Sequence, residues 1–439
     1  MKITIDSKRT IAGLLVSACL AFAPQAFADG AVYAMTNARG NNQILVYHRA
    51  NNGMLSLAQT IATTGGGSGT QLDGTDSLGS QGSLMLDQNH RHLFAVNTES
   101  TASLPMGDCQ QGSISSFSVA SDGTLTFVEK TPSGGLFPNS LTVNPFNNLL
   151  YVLNAGGPGT NPICGQGPNI TGFTISGSGK LTPIAGSTKP INPGMSPGSF
   201  LTCDPGGFPA AAGCGQNPPA FPRSPGEVAF DRLGIALVVT VKGTNSIYVF
   251  PVGLFDGKPG TPTITKAAGP TQPTYFGFAF DFLDRLIVAE PFGTTATIPA
   301  QPDSAVSSFG IGFNGALHEI STDVPNGQGL SCWVVYAGEY AYISDNGTGG
   351  IGGMGNISAY KVGLNGSVTL VSASAAEVSH PNDMGLATDQ FGIPRFLYVL
   401  EGGSGSVGAM QINSNGSLTP LQTVTGLPVS AGAQGLAAY

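Results

Sequence analysis

A handful of carboxylates, one arginine and one histidine are the groups in this chain most able to do chemistry. Glu290, Asp345 and Glu401 each close a short apolar run, and the amides Asn97 and Asn154 close two more. If those runs are strands ending at a common opening, three carboxylates there would repel one another. Such crowding raises one pKa for general acid/base work, or holds a hard cation such as calcium; apart from such an ion no cofactor is expected. The competing explanation is that these residues cap strand ends and loop turns. Glu227 comes from a different run, with Arg223 just upstream. Glu227 and Glu290 are the candidate base and acid, and Arg223 the candidate for stabilising an oxyanion. Asn97, Asn154, Asp345, Glu401 and His380 are candidate substrate contacts, His380 entering the last repeat in His380-Pro381-Asn382-Asp383. No histidine cluster has transition-metal spacing.

The elements that must position these groups follow from internal repetition. One phrase recurs: an apolar strand, a tight polar turn, a strand ending in a polar residue, a loop, an alternating strand, a glycine turn, and a fourth strand. The turn glycines are Gly53, Gly123, Gly179, Gly257, Gly315, Gly366 and Gly416. Asn-Gly and Asp-Gly supply the positive φ that two-residue hairpins need. Four strands per repeat of about fifty residues make a propeller blade. The expected fold is all-β, a seven-bladed β-propeller of four antiparallel strands per blade, with the fourth repeat the poorest match. The first repeat starts with its second strand, residues 32–36, and its missing first strand is expected at 435–439. Closing the ring in this way removes sheet edges.

Turns between first and second strands are short, as are those between third and fourth. Loops after the second strand and between blades are long, the longest spanning 187–224. Both long classes emerge on one side, so that face is the expected working face. Two other motifs are coincidental. Gly194-Met195-Ser196-Pro197-Gly198 has the nucleophile-elbow pattern, yet Pro197 lacks the N–H that an oxyanion hole needs. Gly350-Ile351-Gly352-Gly353-Met354-Gly355 precedes a strand where a dinucleotide site needs a helix.

The chain has 439 residues, 10% of them charged, with 64 Gly, 31 Pro and a net charge of −8. Lys2, Lys8 and Arg9, the apolar run 11–23 and Ala26-Phe27-Ala28 read as an export signal over residues 1–28, leaving one propeller domain over 29–439. Cleavage there would make the net charge −10, which argues against nucleic acid as a partner. A lipoprotein cut before Cys19 is the alternative. The expected location is periplasmic or secreted, and the expected protein a monomer without a membrane span. Cys203 and Cys214 bracket one loop and are the best disulfide candidates. Cys109 and Cys164 occupy equivalent loops of successive repeats, and Cys332, beside Trp333, is the expected buried thiol.

Leu150-Tyr151-Val152-Leu153-Asn154, followed by Gly172-Phe173-Thr174-Ile175 and Gly179-Lys180-Leu181-Thr182, resembles the lactonase family of seven-bladed propellers. That family includes 6-phosphogluconolactonase and 3-carboxymuconate cyclase relatives. The resemblance implies hydrolysis or isomerisation of a lactone or related cyclic ester at the central mouth. Family members carry Pro-Arg-His entering an inner strand; here Pro138-Asn139-Ser140 and Pro225-Gly226-Glu227 stand in that place, and no repeat has the Arg-His pair. The expected partner is a small lactone or sugar-like substrate. If the chain is a non-catalytic scaffold, the partner is instead an envelope or extracellular component.

Overall fold

A computed structural model describes residues 30–69, 76–99, 111–156, 167–191, 224–267, 274–291, 304–346, 354–389 and 391–439. Its described strands form seven antiparallel sheets, six with four strands and one with five. Blade 1 combines the innermost strand Leu436–Ala438 with Gly30–Met35, Gln43–Arg49 and Leu55–Ala62. The innermost strands of blades 2 to 7 are Leu84–Leu86, Pro138–Val143, Pro225–Phe230, Phe278–Phe280, Ser331–Ala337 and Pro381–Thr388.

The ring closes as the sequence predicts. Val32 pairs with Ala438, Tyr33 with Ala437 and Ala34 with Leu436, so chain segments some four hundred residues apart share one sheet. Gly30 lies where they meet: a Cβ on it would sit 2.2 Å from the main-chain oxygen of Tyr439. All seven turn glycines have positive φ, between 64° and 88°. Blade 4 departs from the others, with a single bridge between Val252 and Pro259 where its hairpin begins.

Strand side chains alternate between the two faces of each blade, and each face packs on a neighbouring blade. The core therefore lies between blades. Tyr33, Phe94, Phe117, Leu141 and Val152, from blades 1 to 3, belong to one buried cluster. The Leu-Tyr-Val phrase gains a physical role here. Tyr33, Tyr151, Tyr342 and Tyr398 each donate a hydroxyl to the turn-glycine carbonyl of the following blade: Gly123, Gly257, Gly416 and Gly53. A buried tyrosine needs a partner for its hydroxyl, and a tight turn presents a carbonyl without one, so each satisfies the other.

Candidate active site at the long-loop mouth

The innermost strand of a blade has no fifth strand beside it, so its outward backbone N–H groups need other acceptors. Neighbouring blades supply them. Ser140 Oγ accepts from Val228 N at 3.1 Å, Glu227 Oε2 from Phe278 N at 2.7 Å, and Asp383 Oδ2 from Leu436 N at 3.2 Å. These three residues occupy one position. In blades 3, 4, 6 and 7 the strand register slips by one residue at its start, between Pro138 and Ser140, Pro225 and Glu227, Ser331 and Trp333, and Pro381 and Asp383. A bulge re-aims the side chain that comes after it. Proline begins three of these strands, a tolerated place for a residue with no N–H to give.

The centre of the ring is filled by the chain itself. Residues 78–81, between blades 1 and 2, cross it and bond to five other places. Ser80 Oγ donates to Asn139 O, and Gln81 N to Gly226 O. The Gln81 amide donates to Phe278 O at 3.2 Å and Val334 O at 2.9 Å, and accepts from Val334 N at 2.8 Å. Ser80 O accepts from Trp333 Nε1 at 2.9 Å and from Gln434 Nε2 at 2.6 Å. Gly277 leaves room for this: a Cβ there would lie 2.4 Å from Gln81 Oε1. The segment is a floor beneath the mouth.

Lys242 comes directly after the second strand of blade 4, Ala236–Val241, at its long-loop end. It is only 2% exposed, donates from Nζ to Gly79 O, and lies 4.5 Å from the centroid of the Phe276 ring. Burial pulls its pKa down to about 8, against the opposing pull of Asp76 and the Cys332 thiol. Asp76 in turn accepts from Gly79 N at 2.8 Å. Burial moves the carboxyls the other way. Asp383 is pushed up to about 7, and Glu227 well above the usual range, with the Asp383 charge adding to the rise. Ionisable groups displaced by burial near one opening mark a candidate site.

Residues 41–157 match the family described as lactonase, 7-bladed beta-propeller. No curated protein sequence matches the chain. Among solved structures, the periplasmic gluconolactonase of Pseudomonas aeruginosa is similar over 93% of this chain and 98% of its own, with TM-score 0.62 and 15% identity. A protein of Bacteroides uniformis described provisionally as a 6-phosphogluconolactonase is similar over 94% of this chain and all of its own, at 0.62 and 14%. A protein of Lactobacillus plantarum aligns over 93% and 99%, at 0.59 and 14%. In fold, the chain is a seven-bladed β-propeller like these structures.

Within this propeller the residues singled out from the sequence divide into three groups. Glu227 lies in the ring of inner strands, with Asp383 close enough to raise its pKa. The second-strand ends do not converge on the axis; they lie between blades. Asn97 accepts from Thr63 Oγ1 at 2.7 Å and donates to Ser115 Oγ at 2.8 Å. Asn154 accepts from Ser133 Oγ at 2.7 Å, and Asp345 accepts from Asn326 Nδ2 at 2.9 Å and from Ser331 Oγ. Glu401 accepts from Ser404 Oγ at 3.2 Å. Glu290 is fully buried, with neither carboxyl oxygen in a well-formed hydrogen bond among the described residues, and Ser307 and Asp323 are nearby. Burial pushes the Glu290, Asp345 and Glu401 carboxyls up. The reason is geometric: strand side chains face the next blade, so a strand end reaches the mouth with its loop and not with its last side chain.

His380 is buried with φ 47°, and its carbonyl accepts from Gly402 N. Arg223, Cys109, Cys164, Cys203 and Cys214, like residues 1–28, lie outside the described residues. Cys332 is buried, as expected. Among the described residues no group of three or more His, Cys, Asp or Glu is placed to hold a metal ion, and no helix is long and apolar enough to cross a membrane. Sequence reading missed Asp383, Lys242, Asp76 and Gln81. Asp383 was within reach, since Pro381-Asn382-Asp383 repeats the spacing of Pro225-Gly226-Glu227.

Proposed function

We propose that this protein hydrolyses a lactone or related cyclic ester at the long-loop mouth. The observation that carries the reading is Lys242: a buried amine at the face where the long loops emerge, set against Phe276 and beside Asp76, with its pKa lowered to about 8. Hydrolysis adds water to the lactone carbonyl, breaks the ring C–O bond and must deliver a proton to the departing alkoxide. The ammonium form of Lys242 would stabilise the oxyanion of the tetrahedral intermediate. Glu227, the candidate base from sequence, would instead be the acid for the leaving oxygen, because burial raises its pKa. Arg223 stays in the proposal as a second cation, and Glu290, turned between blades, would act only as a control. Small lactone substrates are also what the similar gluconolactonase fold would accept, and the lactonase-type fold supports that choice of class.

The test is a pH-stat assay of the purified protein on aldonolactones, acyl lactones and muconolactones. Lys242→Ala is expected to lower kcat/KM by roughly a hundredfold, as loss of one oxyanion group does elsewhere. Glu227→Gln, Glu290→Gln and Arg223→Ala complete the series. No turnover above buffer, or turnover indifferent to Lys242, would reject catalysis. A specific observation favours a second reading, a non-catalytic binding propeller: the Glu227 and Asp383 carboxylates already hold neighbouring strands together. In that case the variants change stability and no activity is found.

Export is part of the proposal, supported by the basic start, apolar run and Ala26-Phe27-Ala28. Mass spectrometry of protein recovered from outside the cytoplasm should find Asp29 at the N-terminus. An intact residue 1 would contradict this, and a lipidated Cys19 would select the lipoprotein route.

A further inference from the structure

A sizeable pocket lies on the other face of the ring. It has a volume of about 970 Å³ and straddles the seam between blades 7 and 1. Its cause is topological. In every other blade a short turn joins the innermost strand to the second, as residues 144–148 do in blade 3. In blade 1 those two strands are chain segments from opposite ends of the sequence, and among the described residues no turn joins them. Turn residues of blades 1, 2 and 7 surround the gap instead, with Tyr439 at its side.

The lining has a definite chemistry. Two arginines line it: Arg49, which is buried and donates from Nε to Tyr439 O at 2.9 Å, and Arg395, which pairs with the acid Asp389. That acid is already committed: Oδ1 accepts from Phe391 N and Ile393 N, and Oδ2 from Arg395 Nε at 3.0 Å. The bond uses one edge of Arg395, whose side chain is 54% exposed, and leaves its two terminal nitrogens as donors toward solvent. Beside the cations are flat apolar surfaces. His90 stacks on Tyr439 at 4.5 Å between centroids, and Phe391 is 77% exposed. His90 is held at φ 54°, a conformation that costs a histidine energy. Asn51, Asn52 and Gln411 add amide donors and acceptors.

We propose that this pocket binds a carboxylated sugar, a uronate or an aldonate. The terminal nitrogens of Arg395 match a carboxylate two-pronged. The aromatic faces suit the C–H side of a pyranose ring, and the amides suit its hydroxyls. The volume fits a mono- or disaccharide. The site is independent of the mouth, and neither reading requires the other.

Isothermal titration of the full protein with D-glucuronate and D-gluconate, against D-glucose, tests it. Saturable binding of the acidic sugars is expected, weakened about tenfold or more by Arg395→Ala and also by Phe391→Ala. Both side chains are exposed, so both variants should keep the wild-type melting temperature. The wild-type protein should bind the acidic sugars even if every lactone assay is blank. Absence of saturable binding, equal affinity for glucose, or indifference to Arg395→Ala would each overturn the proposal.

Discussion

Stability should fall as the pH rises from about 4 to about 8, the reverse of ordinary acid denaturation. Asp345 and Asp383 are both buried and pushed up to about 7, and Glu227 and Glu290 are displaced in the same direction. Burial penalises the charged carboxylate, so the folded protein holds these protons more tightly than the unfolded chain does. Their contribution to stability is complete below the unfolded pKa, near 4, and is lost as the pH climbs through about 7. Each aspartate is expected to contribute on the order of 2–4 kcal/mol to that fall. Lys242, with its pKa lowered to about 8, acts above this window and with the opposite sign. Urea midpoints between pH 4.5 and 8 would reveal the slope, and Asp383→Asn should flatten it, gaining on the wild type at pH 8 but not at pH 5. A level profile, or the same slope in Asp383→Asn and Asp345→Asn, would show that these carboxyls ionise freely in the fold.

Trp333→Ala should be the most damaging single truncation in the ring. The indole is fully buried, packs edge-on against Phe276 at 5.4 Å, and donates to the floor carbonyl of Ser80. Its removal creates a cavity and deprives that carbonyl of a donor, a combined cost of about 3–5 kcal/mol. Trp333→Phe retains most of the volume and loses the N–H, so it should cost about 1–2 kcal/mol. Because the sequence has one tryptophan, emission from the wild type reports directly on the floor. A blue-shifted native spectrum that moves to the red with the main unfolding transition is expected. An exposed-type spectrum in the native state, or less than about 1 kcal/mol lost in Trp333→Ala, would contradict this placement.

The ring was legible because its signals are local. A glycine turn demands positive φ whatever surrounds it, and Gly53, Gly123 and their equivalents recur where each hairpin must reverse. The closing strand was legible for a related reason, since a repeat lacking one strand needs it from elsewhere. The site was less so. That Glu290 and Asp345 would turn between blades depends on which face of a sheet meets its neighbour, and the residue type says nothing about that. The floor was invisible: residues 64–81 read as one more long connection, and no composition marks Gln81 as the side chain that crosses to Phe278 and Val334. Lys242 sits where Ala155 sits two strands after its own blade begins, and a comparison of those positions would have drawn attention to it.

The floor also constrains how the molecule can assemble. Ser80 is made early in synthesis, yet its carbonyl waits for donors 253 and 354 residues further along the chain. The floor and the first sheet are completed only when the last residues are in place, and such long-range contacts favour slow folding. A truncation that removes only residues 434–439 would therefore loosen the centre as well as the last sheet.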